Sequence, residues 1–259
     1  MAAVLVAGLV GSSGVFAPSE GGPAGASAPP AYQLATVMSA MRGRADGSFD
    51  QGLCVAGVLP RGTPVILASV IDGRRCAMVS AEPAIPPVEM GACSALDGAC
   101  EDAKWPLLAI IGAKEVRVRP ATAVEVVGEA RERAARAATS ALPVGPLQDP
   151  CSGAGRSAKI LPTPRSVVRP FGADSTLVLV DYRALVGDWE TEGPLVAITP
   201  TGAMVPWGLF TERSFAFYVN DRPHLWASET APGCGHRREI IYMEEGGSLR
   251  KVLQIDLST

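Results

Sequence analysis

Phe215-Ala216-Phe217-Tyr218-Val219-Asn220-Asp221-Arg222-Pro223-His224-Leu225-Trp226-Ala227 is the stretch from which the fold class can be read. Phe215, Phe217 and Val219 alternate with Ala216 and Tyr218, the period of a β-strand whose side chains point to opposite faces. Asn220-Asp221 follows at once, and both residue types tolerate the positive φ of a two-residue hairpin turn. His224 to Ala227 then reads as the returning strand. The alternation predicts one buried face and one wetter face.

The same pattern extends in both directions. Leu253, Ile255 and Leu257 alternate with Gln254 and Asp256, and further strands are expected at Thr176–Asp181, Leu195–Thr199, Ala203–Val205, Glu239–Met243 and Leu249–Leu257. Thr201-Gly202 and Gly246-Gly247 supply turn chemistry between them. Closely spaced strands joined by tight turns favour an antiparallel sandwich, barrel or propeller-like meander. On the N-terminal side, Val65–Ile71 and Cys76–Val79 flank Asp72-Gly73, which predicts a second hairpin, and Leu107–Ile111 and Glu115–Val118 flank Gly112.

One helix is predicted near 122–142. Thr122 and Glu125 have capping-box spacing. Ala123, Val127, Ala130, Ala134, Ala137 and Ala141 recur at helical steps, with Glu129–Arg133 and Glu132–Arg136 four apart on the other faces. Pro143 stops it. The expected fold class is therefore α+β, mostly antiparallel β. Four segments are expected: a signal-like or disordered 1–31, a β-rich 32–142 ending in the helix, a Pro/Gly-rich connector 143–170, and a C-terminal meander 171–259.

The chain has 259 residues and six cysteines: Cys54, Cys76, Cys93, Cys100, Cys151 and Cys234. The number is even and no Cys-x-x-Cys occurs, so disulfides in an oxidising compartment are the economical reading. Cys93 and Cys100 bracket a short loop and are expected to pair locally, with Cys151 the expected partner of Cys234. Residues 2–10 are apolar and precede a Gly/Pro/Ser/Ala tract, a pattern like the h-region of a secretory signal but without a basic residue in front. The run is too short to span a bilayer. The expected location is secreted or periplasmic.

Chemistry is sparsely signalled. The net charge of −3 leaves no clustered basic surface, so nucleic acid is not an expected partner. Gly-x-Gly-x-x-Gly, the phosphate-binding loop and the nucleophile-elbow pattern are absent, and no cofactor is expected. Exposed aromatics stack on sugars or anchor proteins, which makes Trp189, Trp207, Tyr218 and Trp226 the candidate ligand contacts. His224, Cys234 and His236 are the candidate metal ligands. Asp181, Asp188, Glu190 and Glu192 could supply a paired-carboxylate hydrolase. The leading expectation is an exported, non-catalytic binding protein with a protein or carbohydrate partner. A secreted hydrolase using acidic residues or His224 and His236 is the alternative.

Overall fold

The computed structural model describes residues 32–43, 49–84, 93–98, 100, 104–142, 147–148, 157–204, 211–231 and 236–257. These belong to one compact unit, Ala31–Thr259. In chain order they form β1 (Gln33–Gly43), β2 (Phe49–Ala56), β3 (Pro64–Ser69), β4 (Arg75–Ala84), β5 (Cys93–Asp97), β6 (Leu107–Ile111), β7 (Val118–Pro120), β8 (Val124–Glu125) and α1 (Gly128–Ala141). There follow β9 (Leu147–Gln148), β10 (Ser157–Ile160), β11 (Ser166–Arg169), β12 (Val178–Val186), β13 (Trp189–Thr199), β14 (Gly202–Met204), β15 (Thr211–Val219), β16 (Arg222–Ala231), β17 (His236–Glu245) and β18 (Ser248–Leu257). The chain is mostly antiparallel β with one helix among these residues, as the sequence pattern implies.

The first six strands close into a barrel in the order β1-β2-β5-β4-β3-β6, with β6 pairing back to β1. Its lumen is a single apolar cluster to which every strand contributes: Ala35 and Val37, Val55, Val65 and Leu67, Met78, Leu96, and Leu107 with Ala109. A six-stranded barrel is narrow enough for side chains to fill it. The alternate residues Leu34, Ala68, Leu108 and Ile110 point outward and are also buried, because a second layer covers them.

That layer is a central sheet of order β18-β17-β16-β15-β7. Phe217, Val219, Trp226 and Ile241 face the barrel, whereas Leu225, Ala227, Ile240 and Tyr242 face a third layer. The third layer is an outer sheet of order β14-β13-β12-β10-β9, in which β11 also pairs β12 and links it to β8. Leu179, Leu195 and Ala197 meet the central sheet, while Val180, Tyr182 and Val196 face α1. The expected wetter face is therefore corrected. His224 to Glu229 and Glu239 to Met243 are buried without interruption, since the central sheet is covered on both sides. On β16 and β17 period two survives only as a choice between two neighbours; on β15 the buried Phe217 and Val219 still alternate with the half-buried Ala216 and Tyr218, and on the edge strand β18 exposed positions alternate with half-buried ones.

Asn220 and Asp221 take φ of 48° and 62° between the paired Val219 and Arg222, which is the expected two-residue turn. Gly246 and Gly247 do the same between Glu245 and Ser248. The Asp72-Gly73 hairpin is longer than expected. Ser69 N–H donates to the Arg74 carbonyl at 2.9 Å, so the loop spans residues 70–73 and only Gly73 takes positive φ, +72°. A Cβ there would lie 2.8 Å from the Val118 carbonyl oxygen, so the loop needs glycine for space as well as for φ.

The helix starts later than its pattern suggests. Val124 and Glu125 pair with Arg169 and Val168, and Val126 N–H donates to Val167, so the sheet satisfies groups that a helical first turn would have left to a cap. Val127 occupies the N-cap position without a side-chain cap, and Gly128, at φ +60°, turns the chain into the helix. Glu125 pairs with Arg131 at 3.2 Å and not with Thr122. Ala138, Ala134, Ala130 and Ala141 dock on the outer sheet, but Val127 is 69% exposed and off the docked face. Within the stretch read as an exposed connector, 157–160 and 166–169 are strands β10 and β11, pairing opposite ends of β12.

Two disulfides join described cysteines: Cys54–Cys93 and Cys76–Cys100, with Cα separations of 5.8 and 5.4 Å. The expected local Cys93–Cys100 bridge is thus incorrect. Barrel closure sets Cys54 on β2 and Cys93 on β5 side by side, a neighbourhood decided by strand order rather than by loop length. Cys151, Cys234 and the signal-like segment 1–31 lie outside the described residues.

Candidate functional site

The β12–β13 hairpin ends in Val186-Gly187-Asp188-Trp189, with Val186 and Trp189 paired and Gly187 at φ +62°. This tip leaves Trp189 80% exposed, the most exposed large apolar side chain among the described residues. Ion pairs brace the stem. Arg183 binds Glu190 across the hairpin. Arg165, from the turn before β11, spans two carboxylates: its Nε–H donates to Asp181 Oδ2 at 2.8 Å and its Nη1–H to Glu192 Oε1 at 2.8 Å. Burial pushes the Asp181 carboxyl above the usual carboxylate range despite the Arg165 guanidinium beside it. Three of the four carboxylates considered for a hydrolase are therefore held by arginine. The sequence offered no signal for Arg165, which sits in Pro162-Thr163-Pro164-Arg165 and reads as a loop.

Of the remaining aromatic candidates, Tyr218 and Trp226 are not brought to the hairpin. Tyr218 is half-buried, donates its hydroxyl to the Phe171 carbonyl at 3.2 Å, and carries the Arg119 guanidinium 3.6 Å above its ring. Trp226 is on the opposite face of the central sheet, 3% exposed, with its Nε1–H donating to Glu239 Oε2 at 2.6 Å. Tyr218 and Trp226 are thus framework residues. Trp207 lies outside the described residues. Glu239 was not foreseen, although a carboxylate opening the apolar run Ile240-Ile241-Tyr242 was a visible anomaly.

His224 is 1% exposed, stacked on Phe217 at 5.5 Å between ring centroids. Its Nδ1–H donates to the Arg222 carbonyl at 2.8 Å. Burial lowers its pKa to about 4, with Arg222 and Arg250 adding to the effect and the carbonyl bond opposing it. His236 pairs with Ala231 and His224 with Met243, seven ladder positions apart, a backbone distance of roughly 23 Å at the strand rise. Among the described residues no group of three or more His, Cys, Asp or Glu could hold a metal.

A concavity lies on the barrel wall. Ile66, Gly73, Arg74, Arg75, Cys76 and Ala77 line a groove of about 470 Å³. Arg75, exposed at the start of β4, donates through its guanidinium to the Val116 carbonyl, and Arg74 before it lies 3.9 Å from the Asp72 carboxylate. No helix among the described residues is long and apolar enough to cross a membrane. No family model, curated protein or solved structure matches this chain.

Proposed function

We propose that this chain is an exported, non-catalytic binding protein that inserts Trp189 into a pocket of a partner protein. The observation that carries the reading is Trp189 itself, 80% exposed on a hairpin held by the Arg183–Glu190 and Arg165–Asp181–Glu192 pairs. A projecting indole on a braced stem loses little conformational freedom on binding, and tryptophan is over-represented among the residues that dominate interface energy. A knob of this kind suits a concave protein surface, whereas sugar rings are usually received on broader aromatic platforms. The two disulfides support an oxidising compartment. The hydrolase reading would need Asp181 and Glu192 to face a substrate, and Arg165 engages both.

Site-specific photo-crosslinking tests it. A photoreactive residue at 189, in protein presented to the extracytoplasmic fraction of its source, is expected to trap one discrete protein. The same probe at Val58, solvent-facing at 70% exposure, is expected to trap none. Equal, unspecific labelling from both positions, or retardation by polysaccharide gels that Trp189→Ala abolishes, would overturn the protein-partner reading.

A further inference from the structure

The fold presents a projecting apolar group in one layer and a receptive apolar surface in another. Trp189 ends the β12–β13 hairpin of the outer sheet, with the exposed Asp188 and Glu190 on either side. Arg183 binds Glu190, whereas Asp188 has no ion-pair partner among the described residues. In the barrel layer, β3 and β4 turn the paired Ile66 and Ala77 outward, because Val65, Leu67 and Met78 fill the lumen. Ile66 and Ala77 line the barrel-wall groove, and Val79, two residues on along the same face of β4, is 45% exposed. Arg74 and Arg75 line one end of it, with 60% of the Arg74 side chain exposed. The exposed Lys104 acts electrostatically on Asp72 in the preceding loop, so cationic side chains outnumber the Asp72 carboxylate there. Knob and groove belong to layers separated by the central sheet, and a second copy brings them together without any change of fold.

Resting on the reading of Trp189 as a docking knob, we propose that its partner is a second copy of this chain, the indole lying on Ile66 and Ala77 in the barrel-wall groove with Asp188 against Arg74. A groove of about 470 Å³ has room for an indole and the carboxylate beside it. An acidic tip meets a cationic rim, and complementary charge of this kind fixes the orientation of docking. A knob on one face and a groove on another make the contact heterologous. Each end of an assembly therefore keeps an unused knob or groove, and growth runs head to tail. One tryptophan anchor buries little area, so each contact is weak and the assembly forms with rising concentration instead of as a fixed dimer.

The test is sedimentation velocity on the purified, oxidised full chain over roughly 10 µM to 1 mM, the range in which a one-anchor contact becomes populated. The weight-average mass is expected to rise past that of a dimer without a plateau. Trp189→Ala removes the knob, and Ala77→Glu sets a carboxylate on the exposed groove floor; each variant alone is expected to stay monomeric. Their mixture is expected to give a 1:1 heterodimer and nothing larger, since one intact knob and one intact groove remain between them. Arg74→Glu should weaken association at least about tenfold, and adding Asp188→Arg to the same chain should restore it. A wild-type chain that stays monomeric across the range, or two variants that fail to complement each other, overturns the proposal. Photo-crosslinking from position 189 separates this failure from that of the knob itself. A discrete adduct with a different protein removes self-docking and leaves the knob standing, whereas no discrete adduct with any protein, this chain included, removes both.

Discussion

Acidification toward pH 5 should destabilise the fold through His224. Burial against Phe217, with Arg222 and Arg250 nearby, holds the folded-state pKa at about 4 against an ordinary value of 6.5. The unfolded chain takes up the proton as pH falls through 6.5, and the folded chain does not until about 4. The stability contributed by the neutral imidazole is therefore complete above the upper value and lost progressively between the two. At ~1.4 kcal/mol per pH unit, the loss is about 2 kcal/mol on going from about pH 7.5 to about pH 5, and ~3 kcal/mol once both states are protonated. The measurement is urea unfolding at those two pH values for wild type and His224→Phe. Phenylalanine keeps a ring against Phe217 and cannot titrate; losing the bond to the Arg222 carbonyl costs it about 1 kcal/mol at neutral pH. Wild type should lose about 2 kcal/mol between the two conditions, and the variant should lose less than about 0.5 kcal/mol. Asp72, whose carboxyl is held low chiefly by the Arg74 backbone N–H, loses its contribution only at lower pH. Asp181, whose carboxyl is raised by burial, works in the opposite sense and is common to both proteins. A variant that loses as much stability as wild type over this range would refute the assignment to His224.

Gly73→Ala should cost more than about 2 kcal/mol in thermal or urea unfolding, because it combines positive φ with a Cβ pressed on the Val118 carbonyl. Thr122→Ala and Val127→Asp should each stay within about 0.5 kcal/mol of wild type, whereas Ala138→Asp, which drives a carboxylate into the contact with Tyr182 and Val180, should cost more than about 3 kcal/mol. Similar melting of all three would mean that α1 is not docked. If the protein is exported with removal of about 26 residues, intact-mass analysis of material from its native source should show the shortened chain in oxidised form. A full-length, fully reduced chain from the cytoplasm would contradict export.

What could be read in advance was local. The Asn220-Asp221 and Gly246-Gly247 turns require positive φ from residues that supply it cheaply, and they specify their hairpins without outside help. The strands of the C-terminal meander followed from period two for the same reason. What could not be read was decided by partners distant in sequence. Thr122-x-x-Glu125 has the spacing of a cap, but β11 offers the backbone of 124–126 better partners, and no local pattern reports that competition. The pairing of the cysteines depends on barrel order in the same way. At the hairpin the aromatics could be listed from sequence but not sorted: Trp226 and Trp189 differ only in which layer covers them, and Trp189 has none. Apart from the anomalous Glu239, the polar pairs left no signature: Arg165 in a proline-rich turn gives no hint that it will bind two carboxylates.

The coupling between barrel and central sheet has a consequence for how the chain is made. Within the central sheet, Asn220 N–H donates to the Arg117 carbonyl and its side-chain Oδ1 accepts from Arg117 N–H, so the β15–β16 turn is tied to the entry of β7, 103 positions earlier. The strands of the barrel are complete once residue 111 has been synthesised, yet Leu34, Ala68, Leu108 and Ile110 on its outer wall are covered only when β15, β16 and β17 arrive. Synthesis runs at roughly 5–20 residues per second, so that wall stays bare for about 5 to 25 seconds in a growing chain. Over that interval the nascent barrel carries an uncovered apolar wall and depends on whatever holds such surfaces apart during synthesis.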